Sequence, residues 1–421
     1  MTKIDELRKH PIYFFTEGQI APYGQGSSIR KFTNLRAYLD LGFSVEVIQF
    51  LTENEFRNLD DEKKFPELKW SKIVISGKRI GKLHILAFYL GFPRSKVLEY
   101  MFPILRFVLP EVKKRHSLDP NAIHHFEYET TASAAVGFRG LRSVWSSHDI
   151  FSTRTPMLWK MRDQFIERSV SDRYRVLRIR RQRSSEDWLA KANDLILCIA
   201  RHECREFRDQ RGYQNAELFP MSYPDEELLG RTRNWFEDEK LVLLHLGSIS
   251  GFVGYDSLKF ILKDVFPLLQ LETLQRIELN VVGTIDGSEY SKTIMELAAP
   301  YHQVKFLGFV DDIKNCYAGS DLHLVGGLRA TGLRTRIVES FAYGVPVLST
   351  AESAKGVVGL KKDSNIFLAE DAEAFAAALD YIVKYPEKLS EVSNKCRRTY
   401  FDIYSREVSM KKLSELLETY F

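Results

Sequence analysis

Residues 326–350, GGLRATGLRTRIVESFAYGVPVLST, combine a glycine-rich loop, a helix and a strand in one stretch. The apolar residues of Ile337–Ala342 recur at helical spacing, and Gly344 ends this run before the apolar segment Val345–Leu348. The first N–H groups of a helix lack intrahelical partners, and its N-terminal end is positive. A glycine-rich loop that opens a helix therefore favours an anion site.

Two arginines stand at the start of this predicted helix. Arg334 and Arg336 carry planar guanidinium groups that can bind phosphate oxygens in a bidentate manner. Each charged hydrogen bond contributes about 1.5–3 kcal/mol, so a few of them suffice for a diphosphate. The alternative is a surface helix with a glycine at its C-cap and solvated arginines, and the pattern alone does not choose between the two.

The same stretch resembles the donor-binding signature of the family-4 retaining glycosyltransferases. One subgroup has Gly-x-x-Arg-x-Lys/Arg-x-x-Glu followed by Gly-x-Pro-Val and Ser-Thr, and this chain has GLRTRIVE at 332–339 and GVPVLST at 344–350. The resemblance implies that Glu339 holds the ribose hydroxyls of a nucleotide sugar. It further implies that Arg334 and Arg336 face the diphosphate and that Gly332 and Leu333 line the donor.

The chain departs from the wider family at three positions. Many members have a second Glu that contacts the donor sugar where this chain has Thr331, which is retained here as a donor-site candidate. Ser248 and Val253 stand roughly where an Arg and a Lys are usual. These departures fit the same subgroup, but they leave the identity of the sugar open and keep a non-catalytic, glycosyltransferase-like subunit as an alternative.

The composition of the chain is that of a globular protein. Its 421 residues are 44% hydrophobic and 28% charged, and the length suggests two or three domains. Sixty basic against fifty-six acidic residues leave a formal charge of +4, too small to indicate nucleic-acid binding.

The sequence predicts a cytoplasmic protein. The charged segment Met1–His10 lacks the hydrophobic core of a signal peptide, and no window reaches the ~18 apolar residues of a membrane span. The four cysteines show no Cys-x-x-Cys spacing, and neither they nor the histidines have the spacing of a zinc site, so thiols and no metal are expected.

The N-terminal half opens with a strand, a glycine loop, a helix and a second strand, at residues 11–16, 24–28, 29–41 and 43–48. This is the unit from which a parallel sheet is wound. The loop has two glycines but not the third that a dinucleotide fingerprint needs. The family resemblance places Gly26 and Ser27 near the donor.

The C-terminal half alternates strands with helical patterns, which predicts a second doubly wound sheet. The strand-like segments are residues 241–248, 277–283, 304–310 and 321–325, and they resemble the family strand for strand. By this resemblance the donor site also includes Gly247, Ser248, Gly283, Thr284, Phe309 and Val310.

Two strand ends of the first half deliver polar groups. Segments 122–129 and 143–149 end in such residues, and the carboxyl ends of parallel strands face the ligand crevice. The family resemblance makes five of them candidates to orient acceptor or sugar hydroxyls: His125, Glu127, Glu129, His148 and Asp149. The alternative is that His148 and Asp149 cap a helix and pair locally.

Basic residues alternate with aromatic residues in segments 71–116 and 160–183. This pattern suits an anionic membrane surface, and the alternative is a solvated helix face above core aromatics. Peripheral contact with the inner membrane face and a saccharide or lipid-linked saccharide acceptor are therefore hypotheses.

Together these patterns predict an α/β protein of GT-B architecture, with two Rossmann-like doubly wound parallel-sheet domains and an interdomain cleft. The predicted domains are 1–225 for the acceptor and 226–400 for the donor, with a helix at 401–421 packing back on the first. The expected activity is transfer of a hexose-like group from a UDP- or GDP-sugar to an acceptor hydroxyl with retention, in cell-surface polysaccharide or glycolipid assembly. Its predicted catalytic residues are Glu339, Arg334, Arg336, His148 and Glu127, with no cofactor, and a GT-B-fold epimerase is the other alternative.

Overall fold

A computed structural model describes residues 2–20, 26–75, 90, 92–162, 172–223, 240–327 and 332–421. The chain divides into two compact units. The first unit comprises Met1–Met221 and Ser409–Phe421, and the second comprises Ser222–Val408. Each unit is built on its own parallel sheet with helices packed against it.

The sheet of the first unit has seven parallel strands in the order β3-β2-β1-β4-β5-β6-β7. The strand order reverses between β1 and β4, and open α/β sheets bind ligands at such a switch point. The strands are Ile12–Glu17 (β1), Val45–Leu51 (β2), Lys69–Val74 (β3), Ile123–Glu127 (β4), Arg142–Ser147 (β5), Leu195–Cys198 (β6) and Ala216–Leu218 (β7).

Helices cover this sheet. They are Lys3–Leu7 (α1), Gly26–Asp40 (α2), Glu53–Asn58 (α3), Asp61–Lys64 (α4), Arg94–Met101 (α5), Leu105–Leu118 (α6), Tyr128–Ala132 (α7), Phe151–Arg162 (α8), Asp172–Ala192 (α9) and Arg201–Arg205 (α10), with a 3₁₀ turn at Ser133–Ala135 and a π-helical turn at Glu206–Gln210.

The sheet of the second unit has six parallel strands in the order β10-β9-β8-β11-β12-β13, with its switch point between β8 and β11. The strands are Leu241–Leu246 (β8), Ile277–Val282 (β9), Val304–Gly308 (β10), Leu322–Val325 (β11), Val347–Thr350 (β12) and Phe367–Ala369 (β13).

The second unit has shorter helices before β13 and longer ones after it. They are Phe252–Lys259 (α11), Leu271–Gln275 (α12), Glu289–Ala298 (α13), Lys314–Ala318 (α14), Thr335–Ala342 (α15), Ala351–Ala354 (α16), Ala372–Lys384 (α17) and Lys388–Ile403 (α18), with π-helical and 3₁₀ turns at Phe260–Val265 and Phe266–Leu268. The last helix of the chain, Arg406–Tyr420 (α19), begins in the second unit and ends in the first.

Successive apolar side chains of β1 point to opposite faces of the first sheet, and each face is covered by an apolar core. Ile12 and Phe14 enter one apolar core, while Tyr13 and Phe15 enter the core on the opposite face. Three leucines of the C-terminal helix complete the first of these cores, namely Leu413, Leu416 and Leu417. Residues 409–421 therefore belong to the first unit.

The predicted fold class, two Rossmann-like doubly wound parallel-sheet domains, is confirmed. The cysteines are free thiols, and Cys198 and Cys396 are buried. Within the described ranges, no helix has the length and apolar character needed to cross a bilayer.

Candidate functional site

The predicted donor residues lie along one edge of the second sheet, where the parallel strands end. Gly247 and Ser248 follow β8, Gly283 and Thr284 follow β9, and Phe309 and Val310 follow β10. Gly326 and Gly327 follow β11, on the other side of the switch point. The candidate donor site is therefore the carboxyl edge of this sheet, where ligands bind in open α/β folds.

Three glycines allow the turns at this edge to approach one another closely. Gly283 has φ of 151°, and a Cβ added there would lie 2.1 Å from the carbonyl oxygen of Gly247. A Cβ added at Gly247 would lie 3.2 Å from the Cα of Gly254 and 3.6 Å from Nη1 of Arg336. The turn after β9 thus packs against the turn after β8, and the turn after β8 lies beside the Arg336 guanidinium.

We expect Gly283→Ala to destabilise the protein by about 2–6 kcal/mol, because strained backbone and overlap with a carbonyl oxygen add together. Gly287→Ala is the matched control, since nothing lies within 4 Å of its added Cβ, and it should change stability by less than about 0.5 kcal/mol. Urea denaturation of both variants measures the difference. Equal stability of the two variants would contradict this description of the turn.

Helix α15 and its N-cap hold the three charged groups of the motif. Arg334 is its N-cap residue, Arg336 lies in its first turn, and Glu339 lies one turn later. The helix ends as predicted, because Gly344 has φ of 69° and the Val345 N–H donates to the Ser340 carbonyl at 2.8 Å.

The loop before this helix is described only in part. Gly327 and Gly332 have φ of 101° and 64°, conformations that favour glycine. Thr331 lies outside the described residues. Leu333 is half-buried against the apolar core beneath α15.

The two arginines have different surroundings. Burial lowers the pKa of Arg334, and the nearby Asp256 carboxylate opposes this shift. Arg336 has no carboxylate within ion-pair distance among the residues that the structure describes. Its charge therefore stands at the helix N-terminus, beside the turn at Gly247, in position for an incoming anion.

Glu339 is buried, with 5% of its surface exposed. Its Oε2 accepts a hydrogen bond from the Tyr317 hydroxyl at 2.9 Å. Burial raises the pKa of this carboxyl, although Tyr223, Arg336 and Tyr317 each act to lower it. Its Oε1 is buried without a hydrogen bond of regular geometry to any described group, and the Tyr223 hydroxyl interacts with the same carboxyl group.

We expect Tyr317→Phe to shift the acid limb of the pH profile for donor KM to higher pH. The Glu339 carboxylate must be ionised to accept ligand hydroxyls, and loss of the phenol donor raises its pKa further. Donor KM at neutral pH should rise about 2- to 12-fold. Tyr301→Phe, in the same unit, is the control, and an unshifted acid limb in Tyr317→Phe would contradict the role of the phenol.

Two buried histidines lie beneath the same edge. Burial, together with the nearby Arg336, lowers the pKa of His245 to about 4, and the ring pairs with the Leu324 carbonyl at 3.2 Å. Burial likewise holds the pKa of His323 well below its usual range, and its Nδ1 lies 2.6 Å from Oγ of Ser340. Both rings are neutral at pH 7, so Arg336 supplies the positive charge here.

The first unit brings three of the predicted acceptor-side residues into one network. Oε1 of Glu127 accepts hydrogen bonds from Asn34 at 2.8 Å and from His125 at 3.0 Å. Oε2 of Glu127 lies 2.6 Å from Nε2 of His148. Burial alone would raise the pKa of Glu127, but its hydrogen bonds with the two histidines outweigh burial and hold the pKa well below its usual range.

His148 keeps one ring nitrogen for a ligand. Burial lowers its pKa, although Glu127 opposes the shift, so the neutral ring donates from Nε2 to Glu127. Nδ1 then has a lone pair, and it has no hydrogen-bond partner in the described parts of the chain. Tyr128, in a left-handed conformation with φ of 69°, stacks on the ring at 4.0 Å.

The remaining predicted residues of this unit lie outside that network. Asp149 pairs with Arg154 at 2.6 Å, which is a local pair five residues apart. Glu129 is buried, and burial raises its pKa well above the usual range. Gly26 and Ser27 are the first two residues of α2.

Several groups at these sites were not predicted from the sequence: Tyr223, His245, Asp256, Tyr317, His323, Asn34 and Tyr128. A histidine inside the apolar strand β8 was a usable signal for His245. Tyr317 is 22 residues from Glu339, the carboxylate that it binds, and Asn34 is 93 residues from Glu127. No local spacing in the sequence indicates such contacts.

Residues 240–384 match the family described as Glycosyl transferases group 1. No curated protein matches the chain. The solved structure of HepE from Anabaena with UDP and glucose is similar, with 15% identity and a TM-score of 0.67 over 97% of this chain and 100% of that one.

Two further solved structures are similar. Sucrose-phosphate synthase from Thermosynechococcus elongatus has 14% identity and a TM-score of 0.68 over 97% of this chain and 98% of its own. The lipopolysaccharide outer core galactosyltransferase WaaB has 11% identity and a TM-score of 0.63 over 98% of this chain and 100% of its own. The chain thus has the GT-B fold, and a segment of its second unit is similar to the group 1 glycosyltransferases; together these matches support a glycosyltransferase.

Proposed function

We propose that this protein is a retaining glycosyltransferase, which moves a hexose-like group from a UDP- or GDP-sugar to a saccharide hydroxyl in cell-surface polysaccharide or glycolipid assembly. The observation that carries the proposal is the arrangement of α15, which places Arg336 at the switch point of the second sheet and Glu339 one turn later. This helix lies inside the segment that matches the group 1 glycosyltransferases.

The donor binds along the carboxyl edge of the second sheet. Its diphosphate lies against the N-terminus of α15 and Arg336, with Arg334 as the second cation. Its ribose hydroxyls donate to Glu339, whose Oε1 has no hydrogen bond of regular geometry to a described group. The glycine turns at Gly247 and Gly283 let the backbone approach the diphosphate closely.

Catalysis is electrostatic in this proposal. As the bond to the sugar breaks, negative charge grows on the leaving diphosphate, and donors already in position stabilise it without rearranging. Arg336 and the N-terminus of helix α15 supply those donors. The scheme assigns no protein nucleophile and no metal.

The acceptor side uses the network of the first unit. Glu127 holds His148 in the tautomer that leaves Nδ1 as an acceptor, so that Nδ1 can receive the hydroxyl proton of an acceptor sugar. Tyr128 fixes the plane of the ring by stacking on it.

The test is a transfer assay with UDP-glucose, UDP-N-acetylglucosamine and GDP-mannose as donors and a panel of saccharide acceptors. We expect acceptor-dependent release of one nucleotide, with a product of retained anomeric configuration by NMR. Interconversion of donors without any acceptor would indicate an epimerase. Nucleotide binding without turnover would indicate a non-catalytic subunit. Ser248 and the 40% exposed Val253 favour this candidate, because they stand roughly where an Arg and a Lys are usual in the family.

We further propose a cytoplasmic location with peripheral attachment to an anionic membrane through one face of α9. Arg173, Val176, Arg180 and Arg183 recur at helical spacing and are exposed. Each basic residue near anionic headgroups contributes about 1 kcal/mol. Co-sedimentation with vesicles of 30% phosphatidylglycerol should fall at high salt and in Arg180→Gln combined with Arg183→Gln, and insensitivity to both would count against this face.

A further inference from the structure

Tyr223 is a further group at Glu339 to which the proposed chemistry gives no role. It is the second residue of the second unit, directly after the point where the chain leaves the first unit at Met221. The Tyr223 hydroxyl interacts with the carboxyl group of Glu339, which is the group proposed to hold the ribose. One carboxyl group thus serves a phenol of the protein and, in the proposed function, the hydroxyls of a ligand.

The ring of Tyr223 is held beside α15 by two apolar clusters of the second unit. One is the apolar core beneath α15, and the other contains Tyr317 and Tyr343. The Tyr223 ring meets the Tyr343 ring edge to face at 6.0 Å, and Tyr343 stacks on Tyr317 at 4.8 Å. The contact between Tyr223 and Glu339 therefore follows from the packing of the whole ring.

The main chain at Tyr223 is fixed independently of its side chain. The hydroxyl of Tyr400, a buried residue of α18, donates to the Tyr223 carbonyl at 2.8 Å. Because this bond involves only the backbone of Tyr223, the phenol can leave Glu339 by rotation of the side chain while the main chain stays in place.

The two phenols at Glu339 differ in burial. Tyr317 is fully buried, and its hydroxyl donates to Oε2 at 2.9 Å. Tyr223 is half-buried, so it lies on the side that solvent reaches. Because Glu339 itself is almost completely covered, a ligand hydroxyl that arrives from solvent is expected to take the place of the Tyr223 phenol. Tyr317 can keep its hydrogen bond.

We propose that Tyr223 is an internal competitor of the nucleotide, whose hydroxyl occupies the Glu339 carboxylate when no nucleotide is bound and is displaced by the ribose hydroxyls. This inference rests on the proposed function and names a regulation of its donor site. The phenol satisfies a buried carboxylate until a ligand arrives. A nucleotide then binds more weakly than it would to the same carboxylate without the phenol, because one hydrogen bond is exchanged for another.

Two conservative substitutions should change nucleotide affinity in opposite directions. Tyr223→Phe removes the competitor, so UDP should bind about 2- to 12-fold more tightly at pH 8. Tyr317→Phe removes a supporting donor and should weaken UDP binding. Tyr381→Phe is the control and should leave the affinity unchanged, because this ring is 46% exposed on α17. Calorimetric titration of the full-length proteins with UDP, and with GDP in parallel, measures the difference.

The pH dependence separates competition from a change in packing. The Tyr223 hydroxyl acts to lower the pKa of Glu339, so its removal raises that pKa in the free protein. Ribose hydroxyls bind the ionised carboxylate. The tighter binding by Tyr223→Phe should therefore be present at high pH and shrink as the pH falls through the raised pKa. A variant with altered packing alone would change the affinity by the same factor at every pH.

A crystal structure of the wild-type protein with UDP tests the displacement directly, because the Tyr223 hydroxyl should then lie beyond hydrogen-bond distance of Glu339. Circular dichroism checks that the variants are folded. Weaker or unchanged UDP binding by Tyr223→Phe, a factor independent of pH, or a Tyr223 hydroxyl still bound to Glu339 in the complex would overturn the proposal. Failure of the donor site is distinguishable, because then no nucleotide would bind the wild-type protein, or Glu339→Gln would bind it equally well.

Discussion

Arg336→Ala is expected to lower kcat/KM for sugar transfer by about 100- to 1000-fold, because removal of one donor that stabilises developing negative charge costs about 2.7–4 kcal/mol. The Arg336 guanidinium lies beside the turn at Gly247, and it forms no ion pair with any described residue. Its loss therefore removes charge from the donor site, and the fold should remain intact because Glu339 keeps its hydrogen bond from Tyr317.

Steady-state kinetics with the donor and acceptor found in the transfer assay measure this effect. Arg398→Gln is the control, because this arginine is on α18 and its side chain is 83% exposed. Arg334→Ala should also reduce turnover, with some loss of stability because Asp256 loses a cationic neighbour. Near-normal rates in both Arg336→Ala and Arg334→Ala would contradict the assignment of the diphosphate.

Glu127→Gln is expected to lower kcat by about 100- to 10,000-fold, the usual contribution of a positioned general base. The Glu127 carboxylate fixes the tautomer of His148 through a 2.6 Å hydrogen bond, and a neutral amide can donate to Nε2 and reverse that tautomer. Donor KM should change little, because Arg334, Arg336 and Glu339 are in the other unit.

The control for this variant is Asp119→Asn, which lies before the amino end of the same strand and pairs with His10 near the surface. Transfer rates and UDP affinity are measured for both variants. A Glu127→Gln protein that binds UDP normally and transfers sugar at the wild-type rate would show that the network is only structural.

Most of the fold could be predicted because its central strands are short apolar runs between glycine turns and helical patterns. Three strands were not predicted, namely β3, β7 and β13, and each lies at the edge of a sheet. An edge strand has a neighbour on one side only and tolerates polar residues, as the two lysines of Lys69–Val74 show. The alternation of apolar and polar residues in such a strand is therefore weak. Two of the three unpredicted strands, β7 and β13, also span only three residues each.

The local part of the donor site could also be proposed from the sequence. Arg334, Arg336 and Glu339 lie within six residues of one helix start, so their spacing alone brings them to one end of the element. Their partners could not be found in this way. Tyr317 reaches Glu339 from a separate helix, α14, and the sheet topology, not the spacing, brings them together.

The acceptor side shows the same limit. His125 and Glu127 lie two residues apart on β4, and their contact was within reach of a sequence argument. The pairing of Glu127 with His148 depends on β4 and β5 being neighbours, with Glu127 in register with Ser146. The different environments of His148 and Asp149 follow from burial and from the local pair with Arg154, which residue types do not reveal.

The measurement that tests the central claim most directly is calorimetric titration of the wild-type protein and Glu339→Gln with UDP, GDP and ADP. The proposed donor site predicts that one nucleotide binds the wild-type protein with micromolar affinity at one site. Loss of the carboxylate that accepts the ribose hydroxyls should weaken that binding at least about tenfold in a variant that remains folded. Absence of binding to any of the three nucleotides, or equal affinity of the two proteins, would contradict the site.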